Sequence, residues 1–166
     1  MLRRMPCSRN DLMARLEALG IATTTHEHPP VYTVEEAKAL RGELAGAHSK
    51  NLFLKDKKGA LFLVVTLEDR AIDLKALRHV IGAKQLSFGK PELLLDVLGI
   101  EPGAVTPFAL INDTEHRVRV VLDAEMMQMA PLNYHPLDNA ATTSISPEGL
   151  LAFIRDCGHE PTVLAL

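Results

Sequence analysis

Apolar and polar positions along the chain alternate with two periods, and the punctuation between them is clear. From Ser8 to Leu19 the apolar residues Leu12, Leu16 and Leu19 recur at helical spacing. Ser8 and Asp11 supply a capping-box start and Gly20 a stop, which predicts a helix. Ile21 to His26 is rich in β-branched residues and predicts a short strand, broken by His28-Pro29-Pro30. Thr33 with Glu36 forms a second capping box, opening a helix to about Leu40. Asn51–Lys55 and Ala60–Thr66 are apolar runs joined by Asp56-Lys57-Lys58-Gly59, the pattern of a hairpin.

Further along, Asp73 caps a predicted helix ending near Gly82, and Gln85–Phe88 reads as a short strand. Lys90-Pro91-Glu92 opens a helix that Gly99 closes. Phe108–Asn112 and Val118–Asp123 read as a second hairpin around Asp113-Thr114-Glu115-His116, with further strands at Met129–Tyr134 and Thr142–Ile145. Ser146-Pro147-Glu148 begins a last helix, ended by Gly158, and Val163–Leu166 reads as a terminal strand. Hairpins mixed with helices, without strict β-α-β alternation, predict an α+β fold: a single mixed, largely antiparallel β-sheet with packed helices.

Composition narrows the classes. The 166 residues, 47 % hydrophobic and 23 % charged, fit one domain spanning 1–166 with an ordinary core. No stretch approaches the roughly 20 apolar residues of a membrane span, and the basic N-terminus lacks the apolar run of a secretory signal, so the cytoplasm is the expected location. A net charge of −3 and the lack of a DNA-reading motif argue against DNA as partner. Local basic clusters remain: Arg3, Arg4 and Arg9; Lys55, Lys57 and Lys58; Lys84 and Lys90. Cys7 and Cys157 have no metal-type spacing and read as reduced structural thiols, with a catalytic thiol as the other reading. No glycine-rich nucleotide loop is present, so no cofactor is expected.

Four segments carry candidate chemistry. In His26-Glu27-His28-Pro29-Pro30 the two histidines would share a strand face, as a metal site needs, or His28 lines the edge of a cleft; without a compact ligand motif no metal is expected. Lys50 enters an apolar strand from a small-residue loop, and its ammonium either points to solvent or occupies a cavity beside the sheet. Gly103-Ala104-Val105-Thr106-Pro107 is a stiff turn: either a connector, or a set of backbone amides able to hold an oxyanion. His135, before Pro136-Leu137, is a binding residue or an ordinary strand-end histidine.

In this order, His28-Pro29 with Thr33, His48-Ser49-Lys50-Asn51-Leu52, Gly103-x-x-x-Pro107 and His135-Pro136-Leu137 to Thr142-Thr143 resemble the YbaK-like aminoacyl-tRNA deacylases, relatives of the editing domain of bacterial prolyl-tRNA synthetases. The resemblance covers about Asp11 to Phe153 and is greatest to the freestanding deacylases that clear alanine from proline tRNA. It implies that Lys50 is the functional lysine and that Gly103 to Pro107 shapes the aminoacyl pocket. His28, Tyr32, Thr33, Asn51 and His135 would be its neighbours. It also implies aminoacyl-tRNA, through the acceptor end of tRNA(Pro), as partner, with prolyl-tRNA synthetase as a further one. Rival expectations are the same fold acting on another mischarged tRNA, such as one carrying cysteine, and a non-catalytic tRNA- or synthetase-binding module.

Overall fold

The structure, a computed structural model, describes residues 5–30 and 46–166. Among the described residues the elements run α1 (Arg9–Ala18), β1 (Thr23–Glu27), β2 (Ala47–Asp56), β3 (Leu61–Leu67), α2 (Leu74–Ile81), β4 (Leu86–Phe88) and α3 (Pro91–Leu98). Two 3-10 turns, Pro102–Ala104 and Pro107–Asn112, lead into β5 (Val118–Asp123). A third, Met126–Gln128, precedes β6 (Leu132–Tyr134), β7 (Ala141–Ile145), α4 (Pro147–Asp156) and β8 (Thr162–Leu164). The predicted helix from Thr33, with Tyr32 beside it, lies outside the described residues.

The helix boundaries follow from their caps. The Ser8 hydroxyl accepts the Asp11 amide while the Asp11 side chain takes the Ser8 amide, completing the capping box. Asp73 and Ser146 cap α2 and α4. Gly82 and Gly99 end α2 and α3 in the left-handed region, at φ 69° and 66°.

The strands form one mixed eight-stranded sheet in the order β1-β7-β6-β2-β3-β5-β8, with β4 also paired to β2. Four pairings are antiparallel (β1 with β7, β6 with β7, β2 with β3 and with β4) and three are parallel (β2 with β6, β3 with β5, β5 with β8). One sequence expectation fails here. Phe108–Asn112 is a 3-10 helix capped by Thr106 with Pro107 in its first turn, and β5 pairs in parallel with β3 and β8 instead of closing a hairpin. The segment is buried almost throughout, so it has no polar face whose period would distinguish strand from helix.

The main core lies on one sheet face. Ala47 and Phe53 of β2, Leu63 and Val65 of β3 and Tyr134 of β6 meet Leu12 and Leu16 of α1, Leu98 of α3, Phe108 and Phe153 there. Phe108 packs edge-on against both Tyr134 and Phe153, at 6.0 and 5.5 Å between ring centres. A smaller cluster on the other face sets Leu77 of α2 against Leu54, Phe62, Val64 and Val121. Strand β2 starts where only glycine fits: a Cβ at Gly46, φ 100°, would lie 2.1 Å from the Pro131 carbonyl oxygen. That close approach lets the Ala47 amide donate to the same carbonyl at 2.9 Å and brings β6 alongside β2.

Candidate active site

Strand alternation sorts the candidate residues between the two faces. Ala47 and Phe53 point into the main core, so Ser49 and Asn51 point the same way, whereas Lys50 shares the opposite face with Leu54. Lys50 is half-buried and stands directly across from Thr66. Thr66 is fully buried and donates its hydroxyl to the equally buried Asp123 at 2.6 Å. Arg70 and the Glu125 amide also donate to Asp123, at 2.7 and 2.9 Å. Burial works against the Asp123 charge, but these donors outweigh it and hold the carboxyl below its usual range.

The same face continues across the parting of β2 and β6. His48 is in register with Asn133, whose Oδ1 accepts from the Ser144 hydroxyl at 2.6 Å. Two residues before Ser144 on β7, Thr142 bonds His28 Nε2 at 2.9 Å, and the His28 amide donates to the Ala140 carbonyl. The rings of His28 and His135 meet edge-on with centres 6.2 Å apart. His135 Nδ1 lies 2.9 Å from the Ala141 carbonyl, so this nitrogen carries the proton and donates, leaving Nε2 with its lone pair. Burial pushes the His135 pKa down, outweighing that hydrogen bond, and favours the neutral ring. The structure therefore brings His28 and His135 together and sets Lys50 on their side of the sheet.

The loop holding His135 is tethered by a residue that the sequence marks only as part of a basic cluster. Arg9 of α1 grips both carboxylate oxygens of Asp138, at 2.9 and 2.7 Å, and reaches Glu27 at 2.8 Å, next to His28. This clamp joins residues 129 apart in sequence, so no local pattern signals it.

Gly103 to Pro107 meets the other face. Ala104 and Val105 pack on the main core, and Thr106 and Pro107 are buried. The Ala104 amide is spent on the Glu101 carbonyl at 2.9 Å. Among the described residues the Val105 and Thr106 amides show no such backbone partner, so they are the amides of this turn open to an oxyanion. Asn51 belongs to this side, and its Oδ1 is buried with no hydrogen-bond partner among the described residues. The two sets of candidates converge on β2. Residues Ala47 and His48 pair with β6, Leu54 to Asp56 pair with β4, and the edge of β2 between them has no described strand beside it.

Burial pushes the Cys157 thiol up to about 12, which leaves no useful thiolate near neutral pH. Among the described residues no group of three or more histidine, cysteine or carboxylate side chains is placed to hold a metal ion. No helix among them is long and apolar enough to cross a membrane.

Strands β2 to β7, the lysine and the histidine pair fall within a known domain. The model of the Aminoacyl-tRNA editing domain matches residues 28–153, and the chain belongs to that family. It is 42 % identical over 159 residues to the prolyl-tRNA synthetase associated domain-containing protein 1 of Danio rerio, covering 95 % of this chain and 86 % of that one. It is 39 % identical to the prolyl-tRNA editing protein ProX of Acetoanaerobium sticklandii, covering 92 % and 93 %. A solved structure described as a candidate trans-editing enzyme for prolyl tRNA synthetase shares the fold, with a TM-score of 0.72, 21 % identity and coverage of 98 % and 99 %.

Proposed function

We propose that this protein hydrolyses the ester linking a wrong amino acid to the terminal ribose of a tRNA, and that its substrate is alanyl-tRNA(Pro). The observation that carries the reading is strand alternation in β2, by which Lys50 shares the face of His28 and His135 while Asn51 looks to the opposite side, along a stretch of β2 whose outer edge has no strand beside it among the described residues. Membership of the editing family and the names of the relatives from Danio rerio and Acetoanaerobium sticklandii support it.

The chemistry follows from what the groups can supply. Lys50, on the face opposite the Gly103 to Pro107 turn, offers a compact cation for the terminal phosphate. Val105 and Thr106 amides would hold the tetrahedral oxyanion, where one aimed donor contributes about 3 kcal/mol. Asn51 Oδ1, without a partner among the described residues, is an acceptor suited to the α-ammonium of the amino acid. His135 lines the pocket as a neutral ring. The neighbouring ribose hydroxyl orients the attacking water, so no protein nucleophile is required, and orientation supplies much of the rate.

Specificity has a physical basis. A pocket made for proline cannot exclude alanine, since each missing methylene costs only about 1–3 kcal/mol of discrimination. A second site that admits alanine and is too small for proline restores fidelity. The test is release of labelled amino acid from alanyl-tRNA(Pro) and prolyl-tRNA(Pro): rapid loss of alanine with proline retained is expected, and equal loss of both would refute the assignment.

A further inference from the structure

We propose that the rim around β4 is the surface that receives the acceptor end of the tRNA, with Phe88 as a stacking platform for a base and four lysines as its phosphate partners. The inference rests on the editing reading above and adds to it how the polynucleotide is held.

The first observation is Phe88. Of the five phenylalanines, Phe53, Phe62, Phe108 and Phe153 are at most 4 % exposed, whereas Phe88 is 60 % exposed. It lies on β4 opposite Leu54 and shares that residue's face, the face of Lys50. Four residues of strand separate Leu54 from Lys50, so Phe88 stands about 13 Å along the sheet from the lysine. A terminal ribose at Lys50 leaves the preceding bases within reach of the ring.

The second observation is charge. Two lysine clusters far apart in sequence gather at this rim. The buried carboxylate of Asp56 accepts the Lys58 amide at 3.0 Å and the Lys84 amide at 3.2 Å, fastening the β2–β3 turn to the loop before β4. Lys57, Lys58, Lys84 and Lys90 are all exposed, and the latter two bracket β4 and Phe88. Glu92, in the first turn of α3, is the exposed acid beside them. Basic groups flanking an open aromatic ring suit a nucleic acid, whose phosphates and base faces both find partners. An acidic peptide would use the lysines and leave the ring idle.

The experiment measures binding of deacylated tRNA(Pro), which needs no hydrolysis. With Lys57, Lys58, Lys84 and Lys90 all changed to Ala, affinity falls at least about tenfold, and the log–log salt dependence flattens by about 0.7–0.9 for each phosphate no longer neutralised. Arg15→Ala with Arg155→Ala, a charge change on α1 and α4, keeps wild-type affinity. Phe88→Leu weakens binding about fivefold or more. Phe88→Trp retains binding and gives the chain its one tryptophan, whose fluorescence is quenched as a base stacks on it. Unchanged affinity and slope in the lysine variant, or fluorescence of Phe88→Trp indifferent to tRNA, would overturn the proposal. A wild type that binds tRNA through this rim but releases no amino acid would sink the hydrolase reading alone. Hydrolysis by a lysine variant that binds like wild type would sink the rim alone.

Discussion

Replacing Arg9 by Met removes the clamp on the His135 loop while keeping an apolar stem of similar length. Arg9 makes two hydrogen bonds to the Asp138 carboxylate. Bonds of this kind contribute about 1.5–3 kcal/mol each when protected from water. Here the Arg9 side chain is 24 % exposed and that of Asp138 42 %, so solvent screening reduces the pair to about 1–2 kcal/mol in total. For a chain of this length that is a fall in Tm of about 2–8 °C. The pH dependence has a definite sign. Burial alone would raise the Asp138 pKa, but the bonds and charge of Arg9 and the Ala140 amide hold it below the ordinary value. A depressed carboxyl stabilises fully above its unfolded pKa of about 3.9, and the contribution is lost as pH falls through the folded value. The gap between wild type and Arg9→Met, measured by urea denaturation, is therefore expected to be full at pH 7 and to shrink below about pH 4. A gap of the same size at pH 7 and pH 3 would refute the reasoning, as would the absence of any gap.

Three other changes probe the frame. Asp113 accepts from His159 Nε2 at 2.9 Å and from the amides of Arg117 and Val118, with both side chains almost wholly buried, so Asp113→Ala leaves three donors without their acceptor and should cost about 3 kcal/mol or more in denaturant melts. Phe108→Ala empties a fully buried ring site against Tyr134 and Phe153 and should cost about 3–5 kcal/mol in the same assay. Cys157→Ser should leave the deacylation rate unchanged, and iodoacetamide at about pH 7.5 should label Cys157 slowly, because the thiol stays protonated.

Features governed by short range are legible in the sequence. Ser8, Asp73 and Ser146 mark helix starts because a cap is satisfied within three residues, and Gly82 and Gly99 mark stops because the left-handed conformation is cheapest for glycine. The β2–β3 hairpin is legible for the same reason, with Asp56 accepting the Lys58 and Ala60 amides inside its own turn. Phe108–Asn112 misleads because Phe108 to Ile111 are all buried apolar residues and show no polar face. The parallel partners of β5 come from far along the chain and leave no mark on β5 itself. At the candidate site, Lys50, His28 and His135 are singled out by residue type and by the family resemblance. The split of candidates between two sheet faces, the Thr66–Asp123 pair behind Lys50 and the Arg9 clamp arise only from strand order. The spent Ala104 amide likewise depends on a 3-10 turn that the Pro and Gly content of the loop does not specify.

The central claim is that Lys50 serves the reaction and not the fold. Its side chain is half-buried, on the face away from the main core, so Lys50→Ala should unfold at nearly the wild-type urea concentration. The decisive measurement is the single-turnover rate of alanine release from alanyl-tRNA(Pro) by that folded variant. A fall of about a hundredfold or more is expected, the scale of removing one charged or hydrogen-bonding group from the transition state. A rate equal to wild type would show that the lysine takes no part and that the site has been read wrongly.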